Sequence, residues 1–170
     1  EGARNDHFTA GFQMNYSWDF YNKLKGVFNQ SQSAAGLFTV NENEYKNIPQ
    51  GKHKLRFTTN HDESAWDETP VVLFNGKQGA LAASVIAICL KGIPLIYGSQ
   101  EVGVSNPVPF FQHSTIDWSQ NPDMLTEYKR ILEFYNSSET IRWDSATELK
   151  TFAYLGNLLF DRRCHEEALR

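Results

Sequence analysis

The feature that most restricts the fold is the run Ile93-Pro94-Leu95-Ile96-Tyr97, apolar at every position and bounded by Gly92 and Gly98. A strand with one wet face alternates apolar and polar residues. A run without alternation predicts a strand buried on both faces, the state of strands in parallel sheets covered by helices. Helical patterns flank it. Leu81, Ala82, Val85, Ile86 and Cys89 recur at helical spacing over 77–90, and Gly92 with Pro94 predicts the stop, as C-cap glycine and breaker. Downstream, Asn121 and Pro122 predict a helix start as N-cap and first position, with Met124, Leu125, Tyr128, Ile131, Leu132 and Tyr135 as its apolar stripe.

A second strand-like run, Leu55-Arg56-Phe57-Thr58-Thr59, ends abruptly in Asn60-His61-Asp62. Parallel α/β sheets and barrels place their chemistry at the C-terminal ends of strands, so this polar triplet is a site candidate. Upstream, Gly11 to Tyr16 alternates like a short strand. Ser17 then predicts the N-cap of a helix through Phe28, with Asp19 in its first turn and Phe20, Tyr21, Leu24, Val27 and Phe28 on one face. From Asn29 to Gln50 the pattern loosens around Gly36, with one short helix expected near Ala34 to Tyr45. The predicted order is strand, helix, strand, helix, strand, helix.

Composition narrows the function. A chain of 170 residues with a formal charge of −4, whose 16 basic residues form no cluster, has no electrostatic footprint for nucleic acid. The longest apolar stretch, Ala80 to Leu90, falls well short of the roughly 20 residues of a membrane span. Cys89 and Cys164 show no C-x-x-C spacing, and a disulfide between them is left open. The sequence starts at Glu1 with no signal-peptide pattern, and is expected to be a piece of a larger protein.

Glu1, Asp62 and Glu101 each lie at or just after a predicted strand end. Their separations, about 61 and 39 residues, are close to two units and one unit of an eight-unit (β/α)8 barrel, which averages about 31 residues per unit. All three acids would then face one rim. Such a barrel needs at least about 200 residues, so this chain is expected to be at most its second half.

Two motifs carry a family resemblance. Phe57-Thr58-Thr59-Asn60-His61-Asp62-Glu63 resembles the strand-seven motif of the α-amylase family of glycoside hydrolases. Gly92-Ile93-Pro94-Leu95-Ile96-Tyr97-Gly98-Ser99-Gln100-Glu101-Val102-Gly103 resembles its strand-eight motif, and Glu1 stands where the strand-five glutamate would. The likeness runs from Glu1 to about Tyr154 and is greatest to starch-degrading amylases of gut-type anaerobic bacteria.

The resemblance implies an α/β fold: a partial TIM barrel from the end of strand five through helix eight, then the start of a C-terminal β domain. Residues 1–140 would belong to the catalytic barrel. Residues 141–170 would hold a linker, a first β-domain strand at Leu149 to Tyr154, and an atypical tail from Leu155 that reads as poorly ordered or as the scar of a truncated reading frame.

It also implies roles. Retaining glycosidases use two carboxyl groups about 5 Å apart, one protonating the leaving oxygen and one attacking the sugar. By resemblance Glu1 is the acid/base, Asp62 the third family acid that holds the distorted sugar, and His61 a donor to the same ring, with Asn60 and Trp66 binding substrate. The nucleophile and the segment that often holds calcium in the family would precede Glu1. The implied substrate is an α-glucan or maltooligosaccharide cleaved at α-1,4 bonds, and the implied location is secreted, periplasmic or cell-surface in a bacterium. The chain alone would be inactive.

Other readings stay open. A transglycosylase, a branched-glucan enzyme, an α-glucosidase or a non-catalytic binding or scaffold relative would carry the same motifs. Glu1 would otherwise be an exposed terminal acid, and the Asn60-Asp62 stretch a helix-capping turn. Neighbours on an extended strand point to opposite faces, so His61, Asp62 and Glu63 cannot share one ion, and no metal or cofactor is assigned. Trp66 either stacks a sugar or packs a loop. Glu101 is expected to be tied to backbone or a base, Phe110, Phe111 and His113 to be loop packing, and Arg56 receives no role.

Overall fold

The computed structural model describes residues 4–143. Glu1, the expected β-domain strand and the tail lie outside the described residues, as does Cys164. Elements run in chain order from a short helix α1 (Asp6–Thr9) to strand β1 (Met14–Tyr16), then helices α2 (Trp18–Asn29) and α3 (Gly36–Tyr45) to strand β2 (His53–Arg56). Three helices follow, α4 (Glu63–Trp66), α5 (Pro70–Leu73) and α6 (Lys77–Cys89), and then strand β3 (Ile93–Pro94). A 3-10 turn at Gln100–Val102 precedes α7 (Pro122–Ser137) and α8 (Glu139–Trp143).

The three strands form one parallel sheet in the order β1-β2-β3, with Asn15 opposite Lys54 and Leu55 opposite Ile93. Parallel neighbours need a crossover between them, and helices supply it at both steps. The expected alternation of strand and helix is therefore present, with sequence neighbours adjacent in the sheet.

The strands are shorter than the sequence suggests. β2 leaves the ladder after Arg56, although Phe57 to Asn60 stay buried. β3 keeps only Ile93 and Pro94, and 93–97 is half-buried, which corrects the expectation of burial on both faces. The reason is position. β3 is an edge of the described sheet, and Pro94 has no N–H to extend a ladder.

Helix ends also differ in mechanism. Ser17 occupies the N-cap position of α2 but makes no capping bond. Its hydroxyl donates to Glu44 Oε2 at 2.5 Å, and the other Glu44 oxygen accepts the Phe20 N–H at 3.2 Å, so a carboxylate from α3 caps α2. Asn121 adopts the left-handed region and donates from Nδ2 to Val102 O at 2.8 Å instead of capping α7. Gly92 is not a C-cap either, since Leu90 holds that place. With φ of +146°, Gly92 lets β3 approach β2 where a Cβ would lie 2.8 Å from the Lys54 carbonyl oxygen.

One apolar cluster joins α2 to the sheet and α5 through Phe20, Tyr21, Leu24, Phe57, Leu73 and Phe74. Two smaller ones, around Val85, Ile88 and Tyr135 and around Leu81, Met124 and Tyr128, seal α6 against α7. The strands thus have a firm backing on the helical side. Among the described residues, no helix is long and apolar enough to cross a membrane.

Candidate active site

Beyond β2 the chain climbs to the rim through buried residues, and neighbouring groups fix its path. Phe57 stacks on Tyr21 with centroids 4.9 Å apart and meets Trp18 edge-on at 5.2 Å. Thr58 Oγ1 accepts from Gln100 Nε2 at 3.3 Å, and the same nitrogen donates to the Tyr128 hydroxyl at 3.2 Å. Gln100 Oε1 takes the Tyr97 N–H at 2.9 Å, and Tyr128 shares a 2.6 Å hydrogen bond with Ser84 Oγ. This network locks the end of β2 to the turn after β3 and to α6 and α7. Burial accordingly pushes the Tyr128 phenol above its ordinary pKa, opposed by these two hydrogen bonds.

Asn60 makes the turn. Its Oδ1 accepts the N–H groups of Asp62 and Glu63, each at 2.9 Å, and its carbonyl accepts Ser64 N–H at 2.9 Å. Asn60 therefore supplies the helix-capping bonds for α4, and the Asp62 side chain supplies none. That division of labour leaves the Asp62 carboxylate available to the surface. His61 Nε2 lies 3.5 Å from Asp62 Oδ1, with the two side chains 39% and 36% exposed. The structure thus brings His61 and Asp62 together past the C-terminal end of β2, beside a buried Asn60 whose Nδ2 has no hydrogen-bond partner among the described residues.

Trp66 ends α4, its N–H bonded to the Asp62 carbonyl at 2.9 Å, and its residue is 72% exposed, so it is not loop packing. Glu101 sits in the 3-10 turn after β3. Its Oε2 is buried and has no hydrogen-bond partner among the described residues. Phe110 and Phe111 also depart from the expectation of loop packing, being 44% and 83% exposed. Phe110 lies beside the His61 ring, centroids 5.8 Å apart. His113 is exposed.

A second cluster stands beside the rim. Lys25 Nζ is 2.8 Å from Asp67 Oδ2 and 3.8 Å from Glu63 Oε2, while the Tyr21 hydroxyl donates to Asp67 Oδ2 at 3.2 Å. Burial raises the Glu63 carboxyl above its ordinary range, more than Tyr21 and Lys25 lower it. Asp67 is also pushed upward by burial, but the Lys25 hydrogen bond and charge outweigh this and hold it low. The Tyr21 phenol is raised by burial and by both carboxylates. Sequence reasoning missed this cluster. The signal was there, since Tyr21 and Lys25 on α2, and Glu63 with Asp67 just past α4, are each four residues apart and share a helix face.

Chemically, the rim offers one carboxylate and one imidazole side by side, half exposed, with an aromatic ring beside the imidazole. Such a pair can hold vicinal hydroxyls by accepting and donating hydrogen bonds.

No family model matches the chain, and no curated protein matches it by sequence. Solved structures do match by fold. An α-amylase from Lactobacillus plantarum superposes with a TM-score of 0.69 at 19% identity, over 82% of this chain and 32% of that one. A noncanonic maltogenic α-amylase from Thermotoga neapolitana gives the same TM-score of 0.69 at 17% identity, over 82% and 32%. The cyclic α-maltosyl-(1→6)-maltose hydrolase from Arthrobacter globiformis, solved in complex with maltose, gives 0.66 at 20% identity, over 83% and 34%. These structural neighbours are α-amylase-family enzymes, and at such identities the likeness is one of fold. The chain spans about a third of the length of the structures it matches.

Proposed function

We propose that residues 1–140 are the C-terminal part of a (β/α)8 glycoside hydrolase domain, from the end of strand five through helix eight. The barrel they help to build is that of a retaining α-glucan hydrolase acting on α-1,4 bonds. The observation that carries this is the pairing of His61 with Asp62, Nε2 to Oδ1 3.5 Å, at the C-terminal end of the middle strand of a parallel sheet. Strand ends are where barrels keep their catalytic groups. Two of the matched enzymes carry maltose units in their names, the maltogenic α-amylase and the cyclic α-maltosyl-(1→6)-maltose hydrolase, and the latter was solved in complex with maltose.

In this scheme Asp62 accepts hydrogen bonds from sugar hydroxyls and steadies positive charge on the distorted ring, while His61 donates to the same ring. Asn60 holds both on their turn, and Trp66 offers its exposed face to a neighbouring sugar. Glu1 is the acid/base. The nucleophile is a second carboxylate about 5 Å from it, in a motif that this sequence does not contain. The 170-residue chain alone is therefore expected to bind maltooligosaccharides and to hydrolyse nothing.

Isothermal titration of the chain with maltoheptaose, beside a reducing-end assay on starch, tests this. Binding that is lost in His61→Ala and Asp62→Ala, without starch hydrolysis, is the expected result. Equal binding of cello- and maltooligosaccharides would remove the α-glucan assignment, and release of reducing ends would remove the division of catalytic groups.

A further inference from the structure

The loop after β3 holds two exposed aromatic residues, Phe110 and Phe111, that the site described above does not use. Phe110 and Phe111 pack edge-to-face with each other, centroids 4.7 Å apart and planes at 63°, and Phe110 tilts against His61 at 5.8 Å and 44°. The three rings form a continuous path outward from His61, ending in Phe111, which is almost wholly in water. Single exposed apolar residues need no explanation, but adjacent rings continuous with a polar site mark a binding surface.

The loop also holds these rings in place. The Val108 N–H donates to the Ser64 carbonyl at 2.8 Å, which stitches the loop to α4 two residues from Asp62. Pro107 and Pro109 flank that anchor and fix φ on either side of it. A stiff, anchored arm that nevertheless leaves two phenyl rings in solvent is preorganised for a flat apolar ligand, because little freedom is left to lose on binding.

We infer that Phe110 and Phe111 are an aromatic platform that stacks a glucose ring of the α-glucan next to the one gripped by His61. The inference rests on the function proposed above and deepens it by adding a chain-length requirement. A pyranose ring presents a face of C–H groups, which an aromatic face accepts while the ring hydroxyls stay in water. The platform would add nothing for glucose and much for longer oligomers, since only a second ring reaches it.

The test measures binding of glucose, maltose, maltotetraose and maltoheptaose to the 170-residue chain, to Phe110→Ala/Phe111→Ala, to Phe111→Trp and to His61→Ala. Affinity in the unmodified chain is expected to climb with oligomer length. The double alanine variant should flatten that climb, losing on the order of tenfold for maltoheptaose and little for glucose, while Phe111→Trp keeps it. His61→Ala should weaken every ligand alike. An unchanged length dependence in the double variant overturns the platform and leaves the His61 site standing. Loss of binding from neither variant overturns the site itself. A fall in thermal midpoint of several degrees in the double variant would mean that the rings pack against protein, which also overturns the platform.

Discussion

Arg56 and Glu44 are paired in the interior, guanidinium Nη1 2.6 Å from carboxylate Oε2, with the arginine wholly buried. Further bonds surround the pair. Nη2 donates to Asn41 Oδ1 at 2.5 Å, Nε to the Lys91 carbonyl at 3.0 Å, and Nη1 also to the Ser17 hydroxyl. The Phe20 ring lies 4.1 Å beneath the guanidinium carbon. One side chain therefore joins the start of α2, the C-terminal half of α3 through Asn41 and Glu44, and the approach to β3, on the strand that leads to the candidate site.

Removing one partner of this pair is expected to cost far more than removing both. Glu44→Ala leaves a buried guanidinium without its counter-charge and uncaps α2, for a loss of about 3–5 kcal/mol. Replacing the pair together, as Arg56→Met with Glu44→Leu, should recover most of that, because neither charge then needs desolvating. Urea midpoints of the two variants decide it. A double variant no more stable than Glu44→Ala would mean that the wider hydrogen-bond network, and not the charge pair, is what counts.

Arg56 also marks where sequence reading stops. Elements with strong periodicity are legible, so α2, α6 and α7 lie where their stripes put them, and the triplet Asn60-His61-Asp62 does lie past the C-terminal end of β2, just before α4. A lone arginine in a strand has no sequence signal for its partners, because those come from Ser17, Asn41, Glu44 and Lys91, brought close only by folding. Caps fail for the same reason. Ser17 and Asn121 have the right chemistry at the right place, but distant groups bind them first. Phe110 and Phe111 read as packing because aromatics mostly pack, and nothing local reveals that a proline-braced loop turns them outward.

Gly92 is expected to tolerate no side chain. A Cβ there would lie 2.7 Å from Arg56 Cγ and 2.8 Å from the Lys54 carbonyl oxygen, and φ of +146° is unfavourable for any other residue. Neither neighbour can yield, one being sheet backbone and the other a fully buried side chain. Gly92→Ala should therefore cost about 1–3 kcal/mol. Gly98 is the control, because a Cβ added there would meet nothing within 4 Å. Gly98→Ala should be neutral or stabilising by up to about 1 kcal/mol. Chemical denaturation of both variants checks the contrast, and equal effects would refute it.

Cys89 should be chemically silent in the folded chain. It is a free thiol inside the cluster between α6 and α7, and burial pushes its pKa up to about 12. Near pH 8 this leaves on the order of a thousandfold less thiolate than an ordinary cysteine has. In a Cys164→Ser background, a chromogenic disulfide reagent should react with Cys89 only as fast as the chain unfolds, and at once in denaturant. Rapid labelling of folded protein would show that α6 and α7 separate readily.

Glu63 and Asp67 should give opposite pH signatures, although both face Lys25. Glu63 is raised above its ordinary 4.5 by burial, so its contribution to stability is present below that value and is lost as pH rises through the folded pKa. Asp67 is pushed up by burial but pulled below its ordinary 3.8 by Lys25. Its contribution is present above 3.8 and is lost as pH falls through the depressed folded pKa. Glu63→Gln is accordingly expected to gain on the unmodified chain as pH rises above 4.5, since an amide never has to ionise there. Asp67→Asn should lose stability at neutral pH and converge with the unmodified chain as pH falls below 3.8 into the acid range. Urea midpoints of the three chains across that range separate the cases. Curves that run parallel at every pH would mean that the two carboxyls titrate alike in the folded and unfolded chain, and that Lys25 does not discriminate between them.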